Sequence, residues 1–238
     1  MTGARRDEIA ANLAAVERRI AAACAEAGRS RDEITLIVIT KTYPAGDVKL
    51  LASLGVTDVG ENRHPEAGDK HDEVGQEPGP TWPKLRWHFV GGLQTNKANA
   101  VTRYADVIHS VDRIKLANAI ERGAASADRL VTCFVQVGLS HDAGRSGAPA
   151  GEALSIAGVI AGSEHLILGG VMAVAPLGED PQTAFDELRA VSEAVREKYP
   201  QASAISAGMS GDLEQAVRAG ATHLRIGRSV LGERPALG

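Results

Sequence analysis

The sequence predicts an α/β chain folded as one (β/α)8 TIM barrel with an additional N-terminal helix. Three observations lead there. Short apolar, β-branched runs recur eight times, each followed by a helical pattern. The length of 238 residues suits one such barrel. No linker or second periodic pattern marks off another unit, so residues 1–238 are expected to form one domain. An open doubly wound sheet is the competing architecture. It would call for a Gly-x-Gly-x-x-Gly turn after the first strand, and none is there.

Taken in order, Ile9, Leu13, Val16, Ile20 and Ala23 recur at helical spacing over 5–27, with Gly28 placed to cap the helix. Strand one covers about 34–40 and ends at Lys41, and Pro44 stops it or opens the next helix. A helix over 47–54 turns Val48, Leu51 and Leu54 inward. Strand two, near 57–60, runs into Glu61-Asn62-Arg63. Residues 64–84 are rich in Pro, Gly and charge and read as a short helix, then a mobile loop or lid. Strand three is 85–90 and the next helix starts at 93–97. His88, inside that strand, reads as a hydrogen-bonded core residue. Strand four is about 106–109, with Ser110 or Asp112 as the cap of a helix reaching about 125. Strand five is 130–137, followed by a polar loop over 140–147 and a helix over 150–162. Strand six is 165–171, with a helix over 181–198. Strand seven is 202–206, with a helix from Leu213 that Gly220 caps. Strand eight is 222–226.

Composition narrows the function. A hydrophobic fraction of 44% supports a full core. A net charge of −4 and 3% aromatic residues give no nucleic-acid surface. No run of about twenty apolar residues spans a bilayer, and the charged N-terminus does not resemble a signal peptide, so a cytoplasmic location is expected. Cys24 and Cys133 lack metal spacing and read as free thiols.

Candidate site residues gather where barrel chemistry gathers, at the C-terminal ends of strands. Lys41 sits at such an end. Partial desolvation there would favour a neutral amine able to attack an aldehyde, although a lysine snorkelling from a strand end is the simpler account of this stretch alone. After strand seven, Ser206-Ala207-Gly208-Met209-Ser210-Gly211-Asp212 offers glycines, hydroxyls and a helix start. After strand eight, Ile226-Gly227-Arg228-Ser229 offers a second glycine turn. Those two loops often hold a phosphate in barrels of this type. Arg225 reads either as a partner for a barrel carboxylate or as a fixed cation facing a pyridine nitrogen, to which it does not readily give up a proton.

A Schiff-base lysine and a phosphate cup together describe a pyridoxal 5'-phosphate site. The sequence resembles the pyridoxal phosphate homeostasis proteins, whose barrel is similar to that of alanine racemases. The residues that carry the resemblance are Thr40-Lys41-Thr42 with Pro44, Gly60-Glu61-Asn62-Arg63, Trp87-His88-Phe89-Val90-Gly91, Leu93-Gln94-Thr95-Asn96-Lys97, Ile108-His109-Ser110-Val111-Asp112, and Gly208-Met209-Ser210-Gly211-Asp212 with Arg225-Ile226-Gly227. The resemblance implies that Lys41 carries the cofactor as a Schiff base and that Asn62 lies near its face. It implies that Ser206, Gly208, Met209, Ser210 and Gly227 hold the phosphate while Arg225 faces the ring nitrogen. The chain departs from the family pattern at Arg63, Pro65, Gly92, Ala207 and Arg145, which touches the cofactor's outer face and any partner surface there.

The implied function is intracellular buffering or delivery of pyridoxal phosphate, without turnover, by a monomer whose partners are the cofactor and apo enzymes that need it. The alternative is a small amino-acid racemase. Racemisation needs a second proton-transfer group on the opposite face. The three tyrosines, Tyr43, Tyr104 and Tyr199, are poorly placed for that, and the chain ends about a dozen residues past strand eight, without the further domain that supplies it in racemases. A phosphosugar- or indole-type barrel enzyme ranks last and would use Glu61 as its base.

Overall fold

Strand β1 (Thr35–Ile39) hydrogen-bonds in parallel to β2 (Asp58–Glu61) on one side and to β8 (His223–Ile226) on the other. That double pairing closes a barrel whose eight strands follow sequence order, and it rules out the open sheet. The remaining strands are β3 (Arg86–Phe89), β4 (Val107–Val111), β5 (Val131–Gln136), β6 (Leu166–Met172) and β7 (Ala204–Ser206). The structure, a computed structural model, describes residues 2–75, 84–139 and 147–233. Most of the expected 140–147 loop, including Arg145, and residues 76–83 of the expected lid lie outside the described residues.

The expected leading helix is α1 (Thr2–Glu26), and Gly28 ends it at φ +66, a left-handed turn that suits glycine. Its buried Ile9, Val16 and Ile20 pack on the barrel's shell. Polar ties fix its outer turns: Arg5 pairs with Asp47, Asn12 donates to the Val230 carbonyl, and Arg19 pairs with Glu214. Helix α1 thereby braces the helices that follow the last two strands.

The outer ring continues with α2 (Ala45–Ser53), opened by Pro44 as its N-cap, and α3 (Glu66–Gly75). Next come α4 (Ala98–Val101) and α5 (Ile114–Ser126). Helices α6 (Ala153–Ala161) and α7 (Pro181–Lys198) follow. Helix α8 (Leu213–Arg218) and the short α9 (Arg228–Leu231), which the sequence pattern did not reveal, complete the ring. Helix α7 buries Phe185, Leu188 and Val195, each contributing about 1.5–3 kcal/mol of apolar burial. Among the described residues no helix is long and apolar enough to cross a membrane. Cys24 and Cys133 are buried free thiols.

Two local expectations are corrected. Strand β4 extends to Val111 because its ladder with β5 continues to the Val111–Val135 pair. Ser110 is therefore inside the strand and Arg113 takes the N-cap position of α5, so neither Ser110 nor Asp112 caps that helix. The segment at 93–97 opens as a 3-10 turn over Thr95–Lys97 before one turn of α4.

Close strand approach makes one glycine indispensable. Gly170 in β6 has φ +150, and a Cβ there would lie 1.9 Å from the Ala204 carbonyl oxygen of β7. Gly170→Ala is expected to lower stability by about 3 kcal/mol, from strain and overpacking together. Gly46→Ala, where a Cβ meets nothing, is expected to be neutral or mildly stabilising. Chemical denaturation of both variants checks this.

Candidate functional site

At the C-terminal mouth the chain leaves β1 through the turn Thr40-Lys41-Thr42-Tyr43, closed by the Tyr43 amide donating to the Thr40 carbonyl at 3.1 Å. Thr42 occupies the third position at φ +70. A β-branched residue pays strain there, of the kind that persists where the surroundings over-determine the backbone. Those surroundings are visible. Thr40 is fully buried; its amide donates to the Gly60 carbonyl and its hydroxyl to Glu61 Oε1 at 2.7 Å. Lys70 Nζ, from α3, donates to both the Thr40 carbonyl (2.8 Å) and Glu61 Oε1 (2.5 Å). The buried Glu61–Lys70 pair thus clamps the stem of the turn, and Lys41 sits half-buried at its apex. The short helix expected after Asn62 is α3, but nothing in its polar sequence marks Lys70 as the partner of Glu61.

Asn62 follows β2 directly and is half-buried. Gly91, after β3, packs against its backbone: a Cβ on Gly91 would come within 2.0 Å of the Asn62 carbonyl oxygen. Asn62, Arg63, His64, Phe89 and Lys97 line a cleft beside this junction.

The loops after β7 and β8 form the opposite wall. Gly208 adopts φ +90 and is wedged against Ala216 and Leu224, so a side chain does not fit there. Asp212 accepts from the Met209 amide, which folds the turn back on itself and engages that N–H. The amides of Ser210 and Gly211 take no partner among the described residues. The Ser210 carbonyl is tied to Arg19 of α1. Gly227 abuts Ile39 of β1, and α9 opens immediately after it. Ser206 lies deeper than the sequence implied: it is fully buried, and its hydroxyl is engaged by two side chains.

One of those is Arg225. Its guanidinium crosses the upper barrel, donating from Nη1 to Ser206 Oγ (2.7 Å) and from Nη2 to the Ala173 carbonyl (2.8 Å). Burial lowers its pKa to about 10, with Asp212 acting in the opposite sense. No carboxylate pairs with Arg225 among the described residues. A guanidinium has five donors, and two atoms' worth are engaged here. The remaining edge suits an acceptor supplied from outside the protein.

Beneath it, His109 Nδ1 meets Ser206 Oγ at 2.9 Å, His109 Nε2 meets His88 Nδ1 at 2.9 Å, and His88 Nε2 meets Asp58 Oδ1 at 2.8 Å. His88 is the hydrogen-bonded core residue expected of it. At Asp58 burial opposes ionisation, but hydrogen bonds from His88, Thr57 and Arg86 outweigh it and hold the carboxyl far below its ordinary range. Burial holds His88 and His109 below the ordinary imidazole value and His223 at about 4.

The geometry defines a class: a parallel barrel with a lysine on the first strand's turn, glycine turns after the last two strands and an unquenched buried cation between them. Residues 11–235 match the family described as alanine racemase, N-terminal domain. A pyridoxal phosphate homeostasis protein of Corynebacterium glutamicum is 38% identical, the match covering 92% of this chain and 99% of the relative. One from Mycobacterium tuberculosis is 40% identical, covering 97% and 94%. The solved structure of PipY from Synechococcus elongatus with PLP bound superposes with a TM-score of 0.80 at 30% identity, covering 94% of this chain and all of that one. The chain belongs to the pyridoxal phosphate homeostasis protein family.

Two outcomes follow from the site's electrostatics. Lys70→Met leaves Glu61 buried without its cation, and about 3–5 kcal/mol of stability is expected to be lost; Glu61→Gln in the same chain should restore much of it, both read by chemical denaturation. His88, His109 and His223 carry fewer protons in the native state than in the unfolded chain, from about 6.5 downward. Unfolding therefore takes up protons there, and stability is full above that value and lost as pH falls through it. Stability curves between about pH 7 and pH 4 should slope by roughly 1 kcal/mol or more per pH unit; a flat profile would contradict the assignment.

Proposed function

We propose that the chain is a pyridoxal 5'-phosphate-binding protein of intracellular cofactor homeostasis, holding the cofactor on Lys41 and buffering or delivering it. The observation that carries this is the buried Arg225, unpaired with any carboxylate among the described residues, on the strand next to the one that leads into Lys41. When bound, the cofactor supplies an aldehyde for a Schiff base with an amine and a ring that accepts electrons.

The protein's own residues then divide the work. Lys41 supplies the amine on a turn that Thr40, Glu61 and Lys70 hold rigid. Gly208 and Gly227 let backbone approach a phosphate closely, and the Ser210 and Gly211 amides are donors for it. Met209 shapes that turn through its bond to Asp212. Ser206 serves the site through Arg225, whose orientation it fixes. Arg225 takes the ring nitrogen and, being a poor proton donor, keeps it unprotonated, which weakens the ring as an electron sink. Asn62 borders the cofactor's face.

Turnover is not part of this reading. Tyr43 points its hydroxyl at the Gly232 carbonyl, 2.7 Å away, and Tyr104 is buried with its hydroxyl unpartnered among the described residues. Tyr199 follows α7, at the barrel's other end. None offers an acid across from Lys41. Glu61, the base of a barrel-enzyme reading, already accepts from Thr40 and Lys70. A single cytoplasmic barrel unit, monomeric and serving apo enzymes that use pyridoxal phosphate, completes the proposal.

Purified protein mixed with pyridoxal phosphate should turn yellow, and Lys41→Ala should stay colourless. A wild type that remains colourless overturns the cofactor assignment. Sustained racemisation of any common amino acid overturns the carrier role. Transfer to an apo enzyme should outpace release into buffer; equal rates would leave storage alone.

A further inference from the structure

A continuous polar chain runs through the barrel interior, apart from the Lys41 turn and the glycine turns. It starts at Asp58, the first residue of β2, at the barrel's N-terminal mouth. It passes through His88 of β3 and His109 of β4 to Ser206, the last residue of β7, and ends at Arg225 of β8. Its four hydrogen bonds measure 2.8, 2.9, 2.9 and 2.7 Å from Asp58 upward. None of the five residues is more than 5% exposed. It connects a cavity at the far mouth, lined by Thr57, Arg86, His88 and His223, with the cofactor end.

The two ends settle where every hydrogen lies. An ionised carboxylate only accepts, and a guanidinium only donates. Between them stand three groups that each donate once along the chain. With His88 neutral, its Nε2–H must go to Asp58, so its Nδ1 accepts. His109 must then be protonated on Nε2, leaving Nδ1 to accept the Ser206 hydroxyl. The Ser206 oxygen is thereby left with its lone pairs toward Arg225. All four donors point the same way, from Arg225 down to Asp58, and bonds so aligned polarise one another. Without the carboxylate at the far end, the opposite arrangement is equally allowed: His109 would donate from Nδ1 to Ser206, and the serine hydrogen would compete with Arg225.

We propose that Asp58 is a positioning residue for Arg225, acting across the barrel through His88, His109 and Ser206 as a one-directional chain of donors. This rests on the reading of Arg225 as the partner of the cofactor's ring nitrogen. Its consequence is that a residue at the mouth opposite the cofactor sets the orientation, and so the grip, of the cation that faces it. His109 is further locked by stacking on Phe134, with ring centroids 4.6 Å apart and planes 3° from parallel. It therefore adjusts by tautomer, not by rotation.

The test is a proton–nitrogen correlation near neutral pH, without cofactor, on protein labelled with 15N at histidine and arginine, with two-bond couplings reading the imidazoles. His88 and His109 are both expected to be neutral and protonated on Nε2. In Asp58→Ala, and separately in His88→Phe, which keeps an aromatic ring in place, His109 is expected to lose its single tautomer and the Arg225 guanidinium signals to broaden. A role confined to packing would lower the melting temperature and leave the His109 nitrogens unmoved. Added pyridoxal phosphate should bind each variant about tenfold more weakly than wild type, the loss expected for one well-placed hydrogen bond to a charged group. His109 protonated on Nδ1 in the wild type overturns the proposal, as do variants whose His109 signals do not change. If wild-type protein fails to bind pyridoxal phosphate, the cofactor reading falls, while the imidazole tautomers still decide the chain's direction.

Discussion

The site depends first on the ladder between β1 and β8. It pairs Thr35 with His223, Leu36 with Leu224, Ile37 with Arg225 and Val38 with Ile226. A barrel can close in more than one stagger, and each stagger would set a different residue of β8 beside the Lys41 turn. The observed register brings Gly227 against Ile39, two residues before Lys41. It also lets Arg225 reach the ends of β6 and β7, where the Ala173 carbonyl and Ser206 receive it. Helix α1 secures the same seam from outside through its ties to Asp47, Val230 and Glu214. The first and last quarters of the chain are thus locked together around one mouth.

Much of this was legible in the sequence, and the reason is local. Alternating strands and helices imprint two periodicities, and the loops after β7 and β8 need glycine for backbone reasons that no tertiary context can waive. Gly208, at φ +90 and without room for a Cβ, is such a case. Lys41 was visible as a polar residue closing an apolar run. What could not be read was any partnership between distant segments. Lys70 meets Glu61 because α3 folds back along β2, and nothing in a polar stretch after Asn62 announces that. Asp58 opens β2 at the barrel end that barrel chemistry does not use, so no strand-end rule points to it. Ser110 and Asp112 both suit a cap by residue type, and only the β4–β5 ladder shows that the strand runs past Ser110.

Two of the buried acids, Glu61 and Asp58, illustrate how one fold treats like residues differently. Glu61 has its cation in contact, since Lys70 lies 2.5 Å away, so its charge is neutralised locally and serves to stiffen a turn. Asp58 is held ionised by His88, Thr57 and Arg86, and its effect is exported along a chain of neutral groups. The first arrangement fixes backbone. The second fixes hydrogens.

That second arrangement answers a difficulty that Arg225 poses. A buried cation is costly unless paired, and the usual remedy is a carboxylate in contact. Such a contact would also occupy the donors that a ligand needs and would pull the guanidinium toward the acid. Here the contacts are a hydroxyl and a carbonyl, which orient the group while leaving donors over. Asp212 favours the charge from a distance, its negative charge opposing the desolvation of Arg225. Asp58 stands four hydrogen bonds away. Compensation by dipoles and remote charge keeps the cation oriented but unsaturated, which is what a site must do if its final acceptor arrives with a ligand.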